Sequence, residues 1–322
     1  MTDPIRATRV LTQIDPRSWE HPADRAALNA LRRIPVFDEV LRKLFGFFGE
    51  KPLRLAFLSG AVRVGPTQFT RIHRLYQDAL RTLDAPEYPL YVQQKTEINA
   101  FAFGMQHPFI VLNSELVEKL DDDQLRFVLG HEIAHVLSGH PLYITMMTVL
   151  YQLAQTGFPI VGLAARVVLM ALMEWYRKAE LSCDRAGILT VQSADPGMGT
   201  MLVFAGGAGG EANVADFIAQ AEEYRETGDL ADQVFKVLNT LALTHPAPVI
   251  RVAEMRTWFE SGAYERIMGG DYRRRGEPDA AYKEDVAAAA QSYRETAKEA
   301  FGHASDAARR VMDSFRQGFR RE

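Results

Sequence analysis

Between Asp121 and His140 the apolar residues Leu125, Leu129, Ile133, Val136 and Leu137 recur at three- and four-residue steps, which predicts a buried helix. Asp121 followed by Gln124 three residues on has the pattern of a capping box and sets its start. Upstream, leucines and phenylalanines at helical spacing predict helices over 24–33, 37–48 and 67–83. Residues 54–58 and 62–64 are read as short strands about Ser59-Gly60. Segments 88–92, 98–104 and 109–112 are read as a three-stranded antiparallel sheet leading into the buried helix. Residues 1–20, polar and interrupted by proline, are expected to form a flexible, loosely tied arm.

Downstream, residues 141–165 carry no charge, which raises the question of a membrane span. Thr145, Thr148 and Gln152 dilute the run, Gly157-Phe158-Pro159 breaks it and Arg166 ends it, so two buried helices are expected instead. A helix over 170–192 follows, then Ala205-Gly206-Gly207-Ala208-Gly209-Gly210, which lacks the spacing of a phosphate-binding loop. Helices are expected over 214–227 and 230–244, and His245-Pro246 opens another that runs to about 261. From 280 an apolar stripe with Arg309, Arg310, Arg316, Arg320 and Arg321 near its end predicts an amphipathic helix. Self-association or packing is its expected use, with peripheral membrane contact as the alternative.

The 322 residues carry a formal net charge of -4, which gives no reason to expect a nucleic-acid partner. The single cysteine, Cys183, excludes an internal disulfide framework and fits a reducing compartment. The N-terminal residues lack the pattern of a secretory signal, so a cytoplasmic location is expected.

The chemistry concentrates on the buried helix, which reads His131-Glu132-Ile133-Ala134-His135. Histidines four apart on a helix project to one side and can share one zinc ion, whereas Glu132 is turned about 100° away, suited to a general base beside a bound water. His140, five residues beyond His135, would be turned off that face if the helix continued. Glu180 and Asp184 repeat the four-residue spacing. Two readings stand: Glu180 as a third ligand with Asp184 bonded to a ligand histidine, or an exposed carboxylate pair beside Arg177, Lys178 and Arg185.

The order of His131-Glu132-Ile133-Ala134-His135, Glu180 to Asp184 and His245-Pro246 to Arg251, with Asn99-Ala100-Phe101-Ala102 upstream, resembles the gluzincin family of HtpX and the Ste-type CAAX prenyl endopeptidases. The resemblance implies an α+β, mainly α-helical, zincin-like metallopeptidase domain over 21–265. Its small antiparallel sheet would lie beside the metal-binding helix, and residues 266–322 would form a C-terminal helical extension. It implies one zinc ion per chain on His131, His135 and Glu180, with Glu132 as the base and His245 stabilising an oxyanion. Asp184 and Arg251 would support the ligands from behind, and Asn99, Ala100, Phe101 and Ala102 would form the strand that takes a peptide or protein substrate. The expected activity is zinc-dependent endopeptidase. HtpX-type members carry membrane spans, whereas the broken run at 141–165 points to a soluble bacterial branch. Cys183 stands where the family usually has alanine. The alternative is a non-catalytic scaffold stapled by zinc, with His245 as a fourth ligand.

Overall fold

The computed structural model describes residues 8–34, 37, 38, 40, 50–155, 163–226 and 245–277. The expected helices over 37–48 and 230–244 and the C-terminal amphipathic stretch fall outside these, apart from Phe37, Asp38 and Val40. From Thr8 onward the supposed arm is part of the core. Leu11, Ile14 and Trp19 are fully buried, and Ile14 pairs with Arg274. Three isolated apolar residues leave no periodic signal, yet each fills a hole.

Helix α1 spans Pro22–Arg32. Residues 54–58, expected as a strand, belong instead to helix α2, Glu50–Leu58. Five residues are too few to separate the two periods, and the helix begins upstream with Pro52 tolerated in its first turn. Strand β1 (Ala61–Arg63), helix α3 (Thr70–Thr82) and strands β2 (Leu90–Gln93), β3 (Ala100–Phe103) and β4 (Phe109–Asn113) follow. The sheet has four strands in the order β1-β2-β4-β3 and is mixed: β2 and β4 run parallel, the other two pairs antiparallel. The expected antiparallel three-stranded sheet is therefore corrected. β4 inserts between β2 and β3, which leaves β3 on the edge nearest the buried helix.

The remaining helices are α4 (Ser114–Lys119), α5 (Asp122–Leu137), α6 (Pro141–Gln155), α7 (Leu163–Val191), α8 (Asp195–Phe204), α9 (Val214–Glu226), α10 (Pro248–Glu260) and α11 (Ala263–Gly269). The capping box of α5 forms as expected. The Gln124 N–H donates to Asp121 Oδ1 at 2.8 Å, and the Asp121 N–H donates to Gln124 Oε1 at 3.2 Å. Every residue of α5 from Leu125 to Val136 is buried, so it is the central helix rather than a surface one.

Glycine sets how closely α5 approaches α7. A Cβ on Gly130 would lie 2.1 Å from Thr190 Oγ1 and 2.5 Å from its Cβ. Gly187 meets the Phe127 ring in the same way, at 2.6 Å. The two helices interlock at backbone distance, which brings their polar side chains together between them. α5 ends in a Schellman motif: the Gly139 N–H bonds the Val136 carbonyl at 3.1 Å and the His140 N–H bonds the His135 carbonyl at 3.0 Å, with Gly139 at φ +73°. The chain then turns by 94° into α6.

The charge-free run resolves into α6 and the start of α7, which pack with α1 around Leu31, Tyr143, Met146, Leu172 and Trp175. No single described helix is long and apolar enough to cross a membrane, although α5 and α6 would pass that test as one bent pair.

Asp24 on α1 is buried against α7. The Trp175 indole N–H donates to its Oδ1 at 2.9 Å and the Ser182 hydroxyl to its Oδ2 at 2.6 Å. Burial pushes its carboxyl from 3.8 up to about 6, with Ser182, Trp175, His21 and Arg25 pulling it back. A raised carboxyl pKa in the folded chain costs stability progressively as pH climbs from the unfolded value through the folded one. The separation corresponds to about 3 kcal/mol. Wild-type stability relative to Asp24→Asn should therefore fall by up to about 3 kcal/mol between about pH 4 and pH 7 in urea unfolding of chelator-treated protein. A difference that stays flat with pH would refute the assignment.

Candidate metal centre

α5 presents His131 and His135 with their Nε2 atoms 3.1 Å apart. From α7, Glu180 places Oε1 3.1 Å from His135 Nε2 and Oε2 3.5 Å from His131 Nε2. A tetrahedral ion with bonds of about 2.0–2.1 Å separates its ligand atoms by about 3.3 Å. Two imidazole nitrogens, each with one oxygen of the same carboxylate at this spacing, fit zinc in both chemistry and size.

Cys183 competes as a third donor, since His131, His135 and Cys183 also offer ligand atoms within 4.8 Å of one another. Its sulfur, however, lies 3.8 Å from His140 Nδ1, and that nitrogen is 3.1 Å from His135 Nδ1, the ring atom facing away from the Nε2 cluster. Burial and the surrounding carboxylates push the thiol well above its ordinary pKa. Glu180, by comparison, places Oε1 and Oε2 3.1 and 3.5 Å from the Nε2 atoms of His135 and His131.

The carboxylate pair read as either ligands or surface charge is buried, Glu180 and Asp184 each being 1% exposed. Asp184 Oδ1 accepts from His131 Nδ1 at 3.0 Å, so that a neutral His131 would present the lone pair of Nε2. Arg251, entering from the first turn of α10, donates through Nε to Asp184 Oδ2 at 2.8 Å and through Nη2 to Oδ1. Its Nη1 lies 3.3 Å from Glu180 Oε2. One guanidinium thus holds both carboxylates. Despite burial, His245, His131 and Arg251 keep the Glu180 carboxyl well below the usual carboxylate range. Burial opposes a charged His131, but Glu180 and Asp184 outweigh it and raise its pKa to about 9. At His135 burial prevails, with His131 and His140 adding to it, and its pKa falls to about 3.

Glu132 is buried beside the cluster. It accepts a hydrogen bond from the Ala102 backbone N–H, while its Oε2 has no hydrogen-bond partner among the described residues. Burial and the Glu180 charge lift its carboxyl to about 8 against the pull of His131 and Arg251. Asn99 sits at the head of β3, its Oδ1 accepting the Ala100 N–H at 2.9 Å and its carbonyl accepting the Asn113 N–H from β4 at 3.0 Å. Alternation along the strand then turns Phe101 and Phe103 toward β4 and Ala100 and Ala102 toward Glu132. At the other end Thr145 of α6 ties both backbone groups of Gly104, at 3.0 and 3.2 Å.

His245 does not enter the ligand cluster with its Nε2, which lies 3.0 Å from the Tyr176 hydroxyl. Tyr176 hydrogen-bonds Glu180 in turn. The sequence reading missed Tyr176 although it stands four residues before Glu180, on the same helix face. It also set aside His140, which the turn at Gly139 returns to His135.

A buried histidine pair on one helix, a glutamate from a second and a carboxylate with one unpartnered oxygen beside a strand edge are the parts of a metallopeptidase. Residues 66–259 match the model of peptidase family M48. Over 261 residues, 79% of this chain and 76% of the relative, the sequence is 30% identical to the plastoglobule-localized metallopeptidase 48 of Arabidopsis thaliana chloroplasts. It is 35% identical over 79 residues to a protease HtpX homolog of Bacillus subtilis, covering 24% of this chain and 26% of that protein. A Thermoanaerobacter pseudethanolicus HtpX homolog is 24% identical over 92 residues, 28% of this chain and 31% of its own length. No solved structure matches. The chain belongs to peptidase family M48, with a mainly helical, zincin-like fold.

Proposed function

We propose that the chain is a zinc-dependent endopeptidase that holds one zinc on His131, His135 and Glu180 and hydrolyses peptide bonds with Glu132 as general base. The observation that carries this reading is the pair of histidine Nε2 atoms 3.1 Å apart, each with one oxygen of the Glu180 carboxylate 3.1–3.5 Å away, and the buried Glu132 Oε2 left unpartnered. Zinc, when bound in such a set, acidifies a coordinated water and polarises a carbonyl. The remaining steps belong to the chain. Glu132, steadied by the Ala102 N–H, takes a proton from the attacking water and returns it to the leaving amine.

The edge of β3 lays a peptide substrate alongside as an added strand. In this reading His245, whose Nε2 lies 3.0 Å from the Tyr176 hydroxyl, supplies a donor for the oxyanion. Arg251 and Asp184 fix the ligand orientation. A closed structural site would need a fourth protein ligand, whereas His245 Nε2 lies 3.0 Å from the Tyr176 hydroxyl.

The test is the metal content of purified protein beside the Glu180→Gln and Cys183→Ser variants. One zinc per chain is expected in wild type and in Cys183→Ser, with affinity reduced at least about tenfold in Glu180→Gln. Loss of zinc in Cys183→Ser with retention in Glu180→Gln would transfer the third ligand to the cysteine. A wild type that takes up no zinc would refute the reading.

A further inference from the structure

Two histidines in contact through the same ring atom constrain each other. His135 Nδ1 and His140 Nδ1 are 3.1 Å apart, so one of them must carry the hydrogen and the other must not. His135 commits Nε2 to the donor cluster, 3.1 Å from both His131 Nε2 and Glu180 Oε1. With a metal ion held on that nitrogen, the His135 hydrogen sits on Nδ1 and is donated to His140. A neutral His140 then carries its own hydrogen on Nε2, and that atom faces Asp24 Oδ2 at 3.5 Å. Asp24 is an acceptor from every side, with the Trp175 and Ser182 donors already on it, while the Trp175 ring meets His140 edge-on at 5.3 Å.

Resting on the zinc reading above, we propose that the N-terminal helix α1 is part of the metal centre: Asp24, acting through His140, fixes the tautomer and orientation of His135. The two ligand histidines then have equivalent supports, since Asp184 does directly for His131 what Asp24 does through one imidazole for His135. His140 arrives through the Schellman turn, whose His140 N–H to His135 carbonyl bond sets the two rings side by side. Asp24 lies outside the 66–259 stretch matched by the family model, so the peptidase core alone does not contain this support. Both are positioning residues.

The experiment compares full-length wild type with His140→Leu, His140→Gln and Asp24→Asn. It reads zinc affinity by chelator competition, the visible spectrum of the cobalt-substituted protein and the melting temperature of the metal-free form. His140→Leu fills the space without an acceptor and should weaken zinc about 10–100-fold and shift the cobalt spectrum. His140→Gln offers an amide oxygen to His135 and an amide N–H to Asp24 and should recover most of that loss. Asp24→Asn should weaken zinc in the same direction, because an amide cannot accept from Trp175, Ser182 and His140 together.

Wild-type affinity and spectrum in His140→Leu would overturn the proposal. So would an equal loss in the leucine and glutamine variants that follows metal-free melting, since that would mark a packing role only. Unchanged zinc affinity in Asp24→Asn would remove α1 from the centre and overturn it too. Should His140→Leu fail to fold, the glutamine and Asp24→Asn variants decide by the same readings. A wild type that binds no zinc would instead fail the reading on which the proposal stands.

Discussion

Glu132→Gln should leave a folded, zinc-loaded protein whose turnover falls by about 10²–10⁴-fold, the range that a positioned general base supplies. The substitution is nearly isosteric. Its amide oxygen still accepts the Ala102 N–H, so β3 and α5 stay in register. What disappears is the basic oxygen at the buried, unpartnered Oε2, and an amide nitrogen there cannot take up a proton. The measurement is kcat on a cleavable peptide or protein with zinc content determined on the same sample. Undiminished turnover at full zinc occupancy would remove Glu132 from the base role, and lost turnover accompanied by lost zinc would reassign it to the metal shell.

Gly130→Ala should cost about 3 kcal/mol, roughly a hundredfold in the folding equilibrium, although it adds only one methyl group. The new Cβ falls 2.1 Å from Thr190 Oγ1 and 2.5 Å from Thr190 Cβ, and the second atom is fixed to the backbone of α7. Rotating the threonine side chain does not remove that clash, and its hydroxyl is already donated to the Ala186 carbonyl at 2.8 Å. The helices must therefore separate, and His131 and Glu180, carried one on each, must separate with them. Urea unfolding of the metal-free protein checks the first effect. A midpoint equal to wild type would mean that α5 and α7 do not depend on the glycine contact.

Those parts of the site that lie on one helix were readable from the chain. The capping box at Asp121 and Gln124 set where α5 begins, and the four-residue steps of His131 with His135 and Glu180 with Asp184 survive folding because both pairs lie within continuous helices. His140 was misplaced for the complementary reason: helical extrapolation past Leu137 takes no account of the left-handed turn at Gly139. Tyr176 and Asp24 become visible only when segments far apart in sequence meet. The pairing of β2 with β4 was equally hidden, because alternation identifies a strand but not its neighbour. The family resemblance, by contrast, singled out Arg251 and His245, about which spacing alone had nothing to say; the fold sets Arg251 against Asp184 and His245 against Tyr176.

The glycine contact between α5 and α7 also bears on the economy of the cell. Because two interlocked helices hold the donor atoms at an ion's spacing, the cage is a product of folding. In small zinc domains, by contrast, the ion supplies the folding free energy itself. A divalent cation entering this site adds its binding free energy to what the helix contact supplies. Metal supply and the closeness of two helices then act together on how many folded copies persist.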